Sequence, residues 1–219
     1  MPDLSGRDLR RATDRYLSTG DGTSTRHSFS YGAHYDPDNV GFGALVAINT
    51  ETVAPGGGYD EHRHEDVEIV TWVLEGELQH RDSTGQGGVI RPGTAQRLSA
   101  GEGAQHAERN ASDVEPLVFV QMMLRSEHDA APAYAAVDVP EGPGRHPAVG
   151  VQTRAWLEVV RPSAPVEIEV EERVLVHVAR GSVTVDGETL DAGDELRVTG
   201  SATPLLLEGP GEALVWHLA

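Results

Sequence analysis

The chain has 219 residues, enough for one large β domain or two small ones, and only 5% of them are aromatic, so Val, Leu, Ile and Ala must build the core. It has no cysteine and all 17 basic residues are arginine, which removes disulfides, iron–sulfur clusters, thiolate zinc sites, thiol nucleophiles, Schiff-base lysines and a P-loop lysine together. A formal charge of −18 repels phosphate and argues against direct nucleic-acid binding, leaving metal chemistry and carboxylate or histidine acid–base work.

Residues 1–26 mix arginine with aspartate, contain no apolar h-region, and are expected to be a polar N-terminal lead. Within them RDLRRATDRYL offers at most a short helical turn or an edge segment. Nowhere do 18 apolar residues run together, so no membrane span is read, and the absence of cysteine fits a reducing cytoplasm. HSFSYGAHYDPDNVGFGALVAINTETVAP, from His27, then combines an aromatic cluster, a turn at Asp36-Pro37-Asp38-Asn39 and a β-rich run from Gly43 to Val53. Phe29, Tyr31, Tyr35 and Phe42 either wall a ligand cavity or pack the end of a barrel, as most aromatics do.

The residues that look like chemistry come next, in EHRHEDVEIVTWVLEG from Glu61 and SAGEGAQHAERN from Ser99. Successive side chains on a strand alternate faces, so His62 and His64 point the same way, and His106 and Glu108 repeat the device. If the two strands lie near each other, three imidazoles and one carboxylate converge, the mixed N/O set that suits iron, nickel, copper, manganese or zinc. A lone His-x-His is weak, because histidines also sit on solvated strands. By strand parity Glu68 could serve in place of Glu108, and Trp72 shares the parity of His62 and His64. Trp72 is therefore a candidate for the cavity interior as well as for plain core packing. Gln105 and Gln96 are weaker cavity candidates, since glutamine is usually solvated. Asp82 to Gly88 and Pro92-Gly93 read as turns, and LVFVQMML from Leu117 as a buried strand.

Residues 125–150, rich in proline and glycine, read as a linker or a wrapped crossover. Beyond them VLVHVARGSVTVDGETLDAGDEL is a degenerate copy of VTWVLEGELQHRDSTGQGGVIRPG, with strand, glycine, strand, hairpin and second glycine in the same sequence. This predicts two barrels, one over residues 27–124 and a second, metal-free one over 151–219. His177 and His217, lone histidines of the second, are read as core or surface residues.

Gly58 before the histidine pair, Glu68 and Gly76 after it, and the G-x-x-H-x-x-x-N spacing of Gly103, His106 and Asn110 resemble the two metal motifs of the cupin superfamily. Within it, HRHEDVEIVTWVLEGELQHRDS, GVIRPGTAQRLSAGEGAQHAE and HSFSYGAHYDPDNVGF are similar to the pirins, and particularly to bacterial pirin-like quercetin 2,3-dioxygenases. The resemblance implies an all-β bicupin of two jelly-roll barrels, with one divalent metal held by His62, His64, His106 and Glu108. Iron(II) is the first expectation; nickel, cobalt, manganese, copper and zinc suit the same set. Glu68 is left to orient a histidine from outside. The activity implied is dioxygen-dependent cleavage of a flavonol or related enol with release of carbon monoxide, Glu108 taking the hydroxyl proton. A different class is also implied, because pirins are described as metal-dependent redox-sensing regulators that bind a transcription factor or a metabolic enzyme. A non-redox cupin such as a sugar isomerase is a third reading. Catalysis requires an apolar, aromatic-lined cavity open to the metal, whereas sensing requires a closed metal pocket beside a protein-binding patch.

Overall fold

The computed structural model describes residues 6–126 and 131–219; the outermost part of the expected lead and residues 127–130 of the expected linker lie outside them. The described residues are all-β apart from one turn of 3-10 helix, Ala12–Asp14. Its strands are β1 (Arg7–Arg10), β2 (Tyr16–Gly20), β3 (Thr23–His27), β4 (Leu45–Val53), β5 (Gly58–His64), β6 (Val67–Glu75), β7 (Leu78–Asp82), β8 (Gly87–Ile90), β9 (Thr94–Ser99), β10 (Ala104–Asn110) and β11 (Leu117–Arg125). There follow β12 (Ala133–Asp138), β13 (Gly144–Pro147), β14 (Ala155–Arg161), β15 (Val166–Ile168), β16 (Arg173–Arg180), β17 (Ser182–Val185), β18 (Glu188–Asp191), β19 (Glu195–Thr199), β20 (Leu205–Glu208) and β21 (Glu212–Leu218).

The chain divides into two compact units. The N-terminal unit comprises Tyr16–Asp138 and Val149–Thr153; the C-terminal unit comprises the chain up to Arg15, Val139–Ala148 and Arg154–Ala219. In the former a four-stranded sheet, β5-β10-β7-β8, faces a seven-stranded one, β12-β9-β6-β11-β4-β3-β2; in the latter β15-β20-β17-β18 faces β1-β19-β16-β21-β14-β13. All the pairings are antiparallel, and the two orders are the same pattern written twice, as the repeated strand–glycine–hairpin string predicts. Adding ten to each label from β3 to β11 converts one sheet order into the other. Each unit closes as a jelly-roll barrel around inward side chains.

Alternation sets the interior. β7 and β10 bury every second residue, and Leu78 and Ile90 of the small sheet pack on Val53, Val73, Leu117 and Phe119 of the large one. Ala104 packs likewise on Ile69 and Leu98. The inward residues of β6 and β11 are thus the odd-numbered ones. Among the described residues no helix is long and apolar enough to cross a membrane.

The expected lead is different in the structure. β1 pairs with β19, and β2 and β3 form a hairpin that extends the sheet from β4. These short, largely polar strands carry no apolar alternation to read. The expected linker likewise holds two strands, β12 beside β9 and β13 beside β14.

Candidate metal centre

β5 and β10 run antiparallel with His106 opposite His62 and Ala104 opposite His64. The register slips between His106 and Glu108, so that Glu108 lies opposite Tyr59. This bulge leaves His62, His64, Tyr59, His106 and Glu108 all turned toward one interior, the usual service of a bulge at a functional site. The rings of His62 and His106 are 4.5 Å apart, those of His62 and His64 4.8 Å, and those of His64 and His106 5.0 Å. Each of the three offers a nitrogen within 4.8 Å of the others. Glu108 meets that distance with His106 and with His80. His106 therefore belongs to both groups, but the four expected ligands do not form one set at that spacing.

Hydrogen bonding indicates which atoms are available. His62 Nδ1–H donates to the Asp60 carbonyl oxygen at 2.8 Å, which leaves Nε2 as the lone-pair nitrogen. His64 Nε2, both ring nitrogens of His106 and Glu108 Oε1 are buried without a hydrogen-bond partner. Buried polar atoms are paired as a rule, so four orphans at one place fit a missing cation better than any apolar packing. Gln121 Nε2–H donates to the other oxygen, Glu108 Oε2, at 2.8 Å. Burial and the neighbouring imidazoles lower His64 to about 4 and His106 to about 2, while burial pushes the Glu108 carboxyl up to about 7. His64 and His106 are thus held neutral, the form that ligates metal. Three neutral imidazoles and one carboxylate leave a divalent ion one positive charge and, in an octahedral field, about two open positions.

Sequence reading missed His80. Its Nε2–H donates to Asp82 Oδ2 at 3.2 Å, Gln96 Nε2–H donates to its Nδ1 at 3.3 Å, and its ring stacks on Tyr134 at 5.2 Å and lies 5.3 Å from His106. With both nitrogens engaged, it braces the interior behind His106. The signal lay in the even spacing of His80 and Asp82, but their value appears only once β7 pairs with β10, where His80 lies opposite Glu108.

Three expected cavity residues are elsewhere. Glu68 and Trp72 are even-numbered on β6 and so turn away from the interior that the odd residues fill. The Glu65-Asp66 turn, with Asp66 at φ 56°, breaks the strand parity that linked them to His62 and His64. Glu68 does not orient a histidine; its Oε2 accepts from Ser99 Oγ at 2.8 Å and from the Gln152 backbone N–H at 3.1 Å. Trp72 is core. Gln105 is exposed, as alternation requires beside an inward His106. Among the aromatics Phe29 is core and Tyr35 is exposed. His177 and His217, lone histidines of the C-terminal unit, are buried against Glu195 at 3.1 Å and Glu158 at 2.9 Å.

A cavity of ≈ 700 Å³ lies against His62, His64 and Glu108. Tyr31, 57% exposed, stands at its edge, so the cavity reaches the surface. Its lining is more polar than an aromatic slot, with Thr25, His27, Asn49, Glu51, Tyr59 and Gln121 among it.

Residues 10–124 match the family model described as Pirin. A Mycobacterium tuberculosis protein, provisionally named a quercetin 2,3-dioxygenase, is 39% identical over 230 residues, covering 96% of this chain and 94% of its own. The quercetin 2,3-dioxygenase of Escherichia coli K12 is 30% identical over 225 residues, covering 96% and 97%. The crystal structure of the bacterial pirin YhhW from Escherichia coli, in complex with nickel(II), superposes with a TM-score of 0.90 at 28% identity over 97% of this chain and 98% of that one.

Proposed function

This chain belongs to the pirin family, and from that premise we propose that it is a metal-dependent dioxygenase that cleaves a flavonol or related enol with dioxygen. The observation that carries the reading is the buried, unpartnered atoms of His64, His106 and Glu108, of which His64 and Glu108 line a cavity that reaches the surface. His62, His64 and His106 would hold one divalent ion, with Glu108 as fourth ligand. The bound ion would supply Lewis-acid and redox chemistry toward dioxygen and the enol. Iron(II) is our first assignment, and the nickel(II) of the Escherichia coli pirin supports a set open to other ions.

The chain's own groups have separate tasks. The Asp60 carbonyl fixes the tautomer of His62, and His80, braced by Asp82 and Gln96, fills the space behind His106. With its hold on the ion loosened on substrate entry, Glu108 would accept the proton of the substrate hydroxyl at Oε1 while Gln121 holds Oε2 in place. A sensing role would call for a closed pocket, so the cavity supports catalysis over regulation through a protein partner. The cysteine-free composition supports a cytoplasmic setting.

Anaerobic purification followed by metal analysis and flavonol turnover with and without dioxygen tests the proposal. One ion per chain and a dioxygen-dependent rate are expected. A rate no higher than that of the free metal in buffer would end the enzyme reading.

A further inference from the structure

β11 carries two consecutive methionines, and strand alternation sends them to opposite faces. Met122 is fully buried on the outward face of its sheet. Met123 is odd-numbered, so it turns to the barrel interior with Phe119 and Gln121. It is only partly buried, packs against the cluster of Ile69, Leu98, Ala100 and Ala104, and lines the cavity together with His62, His64 and Glu108. Its thioether therefore stands between an apolar cluster and a space that reaches the surface. The chain has no cysteine, so no thiol competes with it for an oxidant.

We infer that Met123 is a modification site: hydrogen peroxide entering the cavity converts its thioether to the sulfoxide, which disables the cavity wall. The reaction needs no metal. A sulfur lone pair takes one oxygen of the peroxide and the O–O bond breaks. The proton of the transferred hydroxyl joins the departing hydroxide as water, so that sulfur is oxidised and peroxide reduced by the same electron pair. A flexible apolar side chain becomes a polar one that accepts hydrogen bonds. Turned toward Ile69 and Leu98, the new oxygen weakens their packing; turned the other way, it narrows the cavity beside the histidines. The two methionines share a backbone and a chemistry, and access alone separates them. Only the effect on turnover rests on the dioxygenase reading.

The test exposes the purified protein to hydrogen peroxide, stops the reaction with catalase at intervals, and digests with trypsin. Every basic residue is arginine, so cleavage after Arg109 and Arg125 releases both methionines in one peptide, and fragmentation between them locates the added oxygen. Met123 should be converted while Met122 remains a thioether. Melting temperature and flavonol turnover, each as a fraction of the untreated protein's value, should fall in step with that conversion, and methionine sulfoxide reductase should restore both. Met123→Leu should keep its own starting values through the same treatment. Met122→Leu should lose them as the wild type does, and serves if Met123→Leu does not fold. No conversion of Met123, equal conversion of both methionines, or a loss that Met123→Leu shares overturns the inference. Selective conversion with a lower melting temperature, in a protein that shows no turnover even before treatment, keeps the modification site and sinks the dioxygenase reading. Turnover and melting that survive full conversion of Met123 do the reverse.

Discussion

In the N-terminal unit β10 sets His106 opposite His62 on one side and Asp82 on the other; in the C-terminal unit β20 sets Leu207 opposite Val166 and Val185. By the same registers Ile168 is the counterpart of His64. Val166, Ile168, Val185 and Leu207 belong to one apolar cluster that fills the C-terminal barrel. Along β6, by contrast, Val73 and Ile69 pack in separate apolar clusters with buried Thr71 between them; on β11 Gln121 lies between Phe119 and Met123 in the same way. The strand pattern is therefore indifferent to what fills it. An apolar interior stabilises the barrel outright, while the histidine interior gives up that stabilisation for a set of imidazole and carboxylate atoms without hydrogen-bond partners.

The largest expected effect that would sharpen the contrast is on turnover. Glu108→Gln keeps the size of the side chain but removes the anionic ligand and the proton acceptor proposed above, and on that proposal should lower flavonol cleavage by about 10²- to 10⁴-fold. Melting of the protein should barely move, and equal rates for the two proteins would remove Glu108 from the chemistry.

Exchanging the two interiors should have opposite signs. Leu207→His places an unpartnered imidazole in a packed apolar cluster and should cost roughly 2–5 kcal/mol in denaturant unfolding. His106→Leu removes two orphaned nitrogens and should stabilise the metal-free protein by about 1–3 kcal/mol while abolishing most metal uptake. If His106→Leu destabilises the metal-free protein and metal uptake survives, the ligand assignment is wrong.

The smallest effect is on pH dependence. An unfolded histidine takes its proton near pH 6.5, whereas His64 is lowered to about 4 by burial and His62, and His106 is lower still. Between about pH 6.5 and about pH 4 the unfolded chain holds more protons, so the metal-free protein should lose stability as pH falls through that window. Above the window the contribution is full. His64→Leu should weaken this acid sensitivity in thermal melts; an unchanged profile would place its origin outside the site.

The meeting of His62, His64 and His106 was legible from two short-range facts, strand alternation and the glycine–histidine–asparagine spacing around His106. Glu68, Trp72 and Gln105 show where such reading stops. Parity holds only inside an unbroken strand, and the Asp66 turn resets it before Glu68 and Trp72. His80 and Glu51 depend on pairing between strands distant in sequence, which no local pattern carries. The duplication was legible from glycine and hairpin order, whereas β1, β2 and β3 were not, being short, largely polar strands without apolar alternation.

The pairing of β1 with β19 also bears on the order in which the molecule can be made. Arg7 aligns with Val198, so β1 is synthesised well before the strand with which it pairs. At about 5–20 residues per second that is a wait of roughly 10–40 s. In that interval every strand of the N-terminal barrel becomes available to pair. β1 thus joins the C-terminal unit only after β19 has been made, and a change at Arg7–Arg10 would be felt in the unit that β19 belongs to.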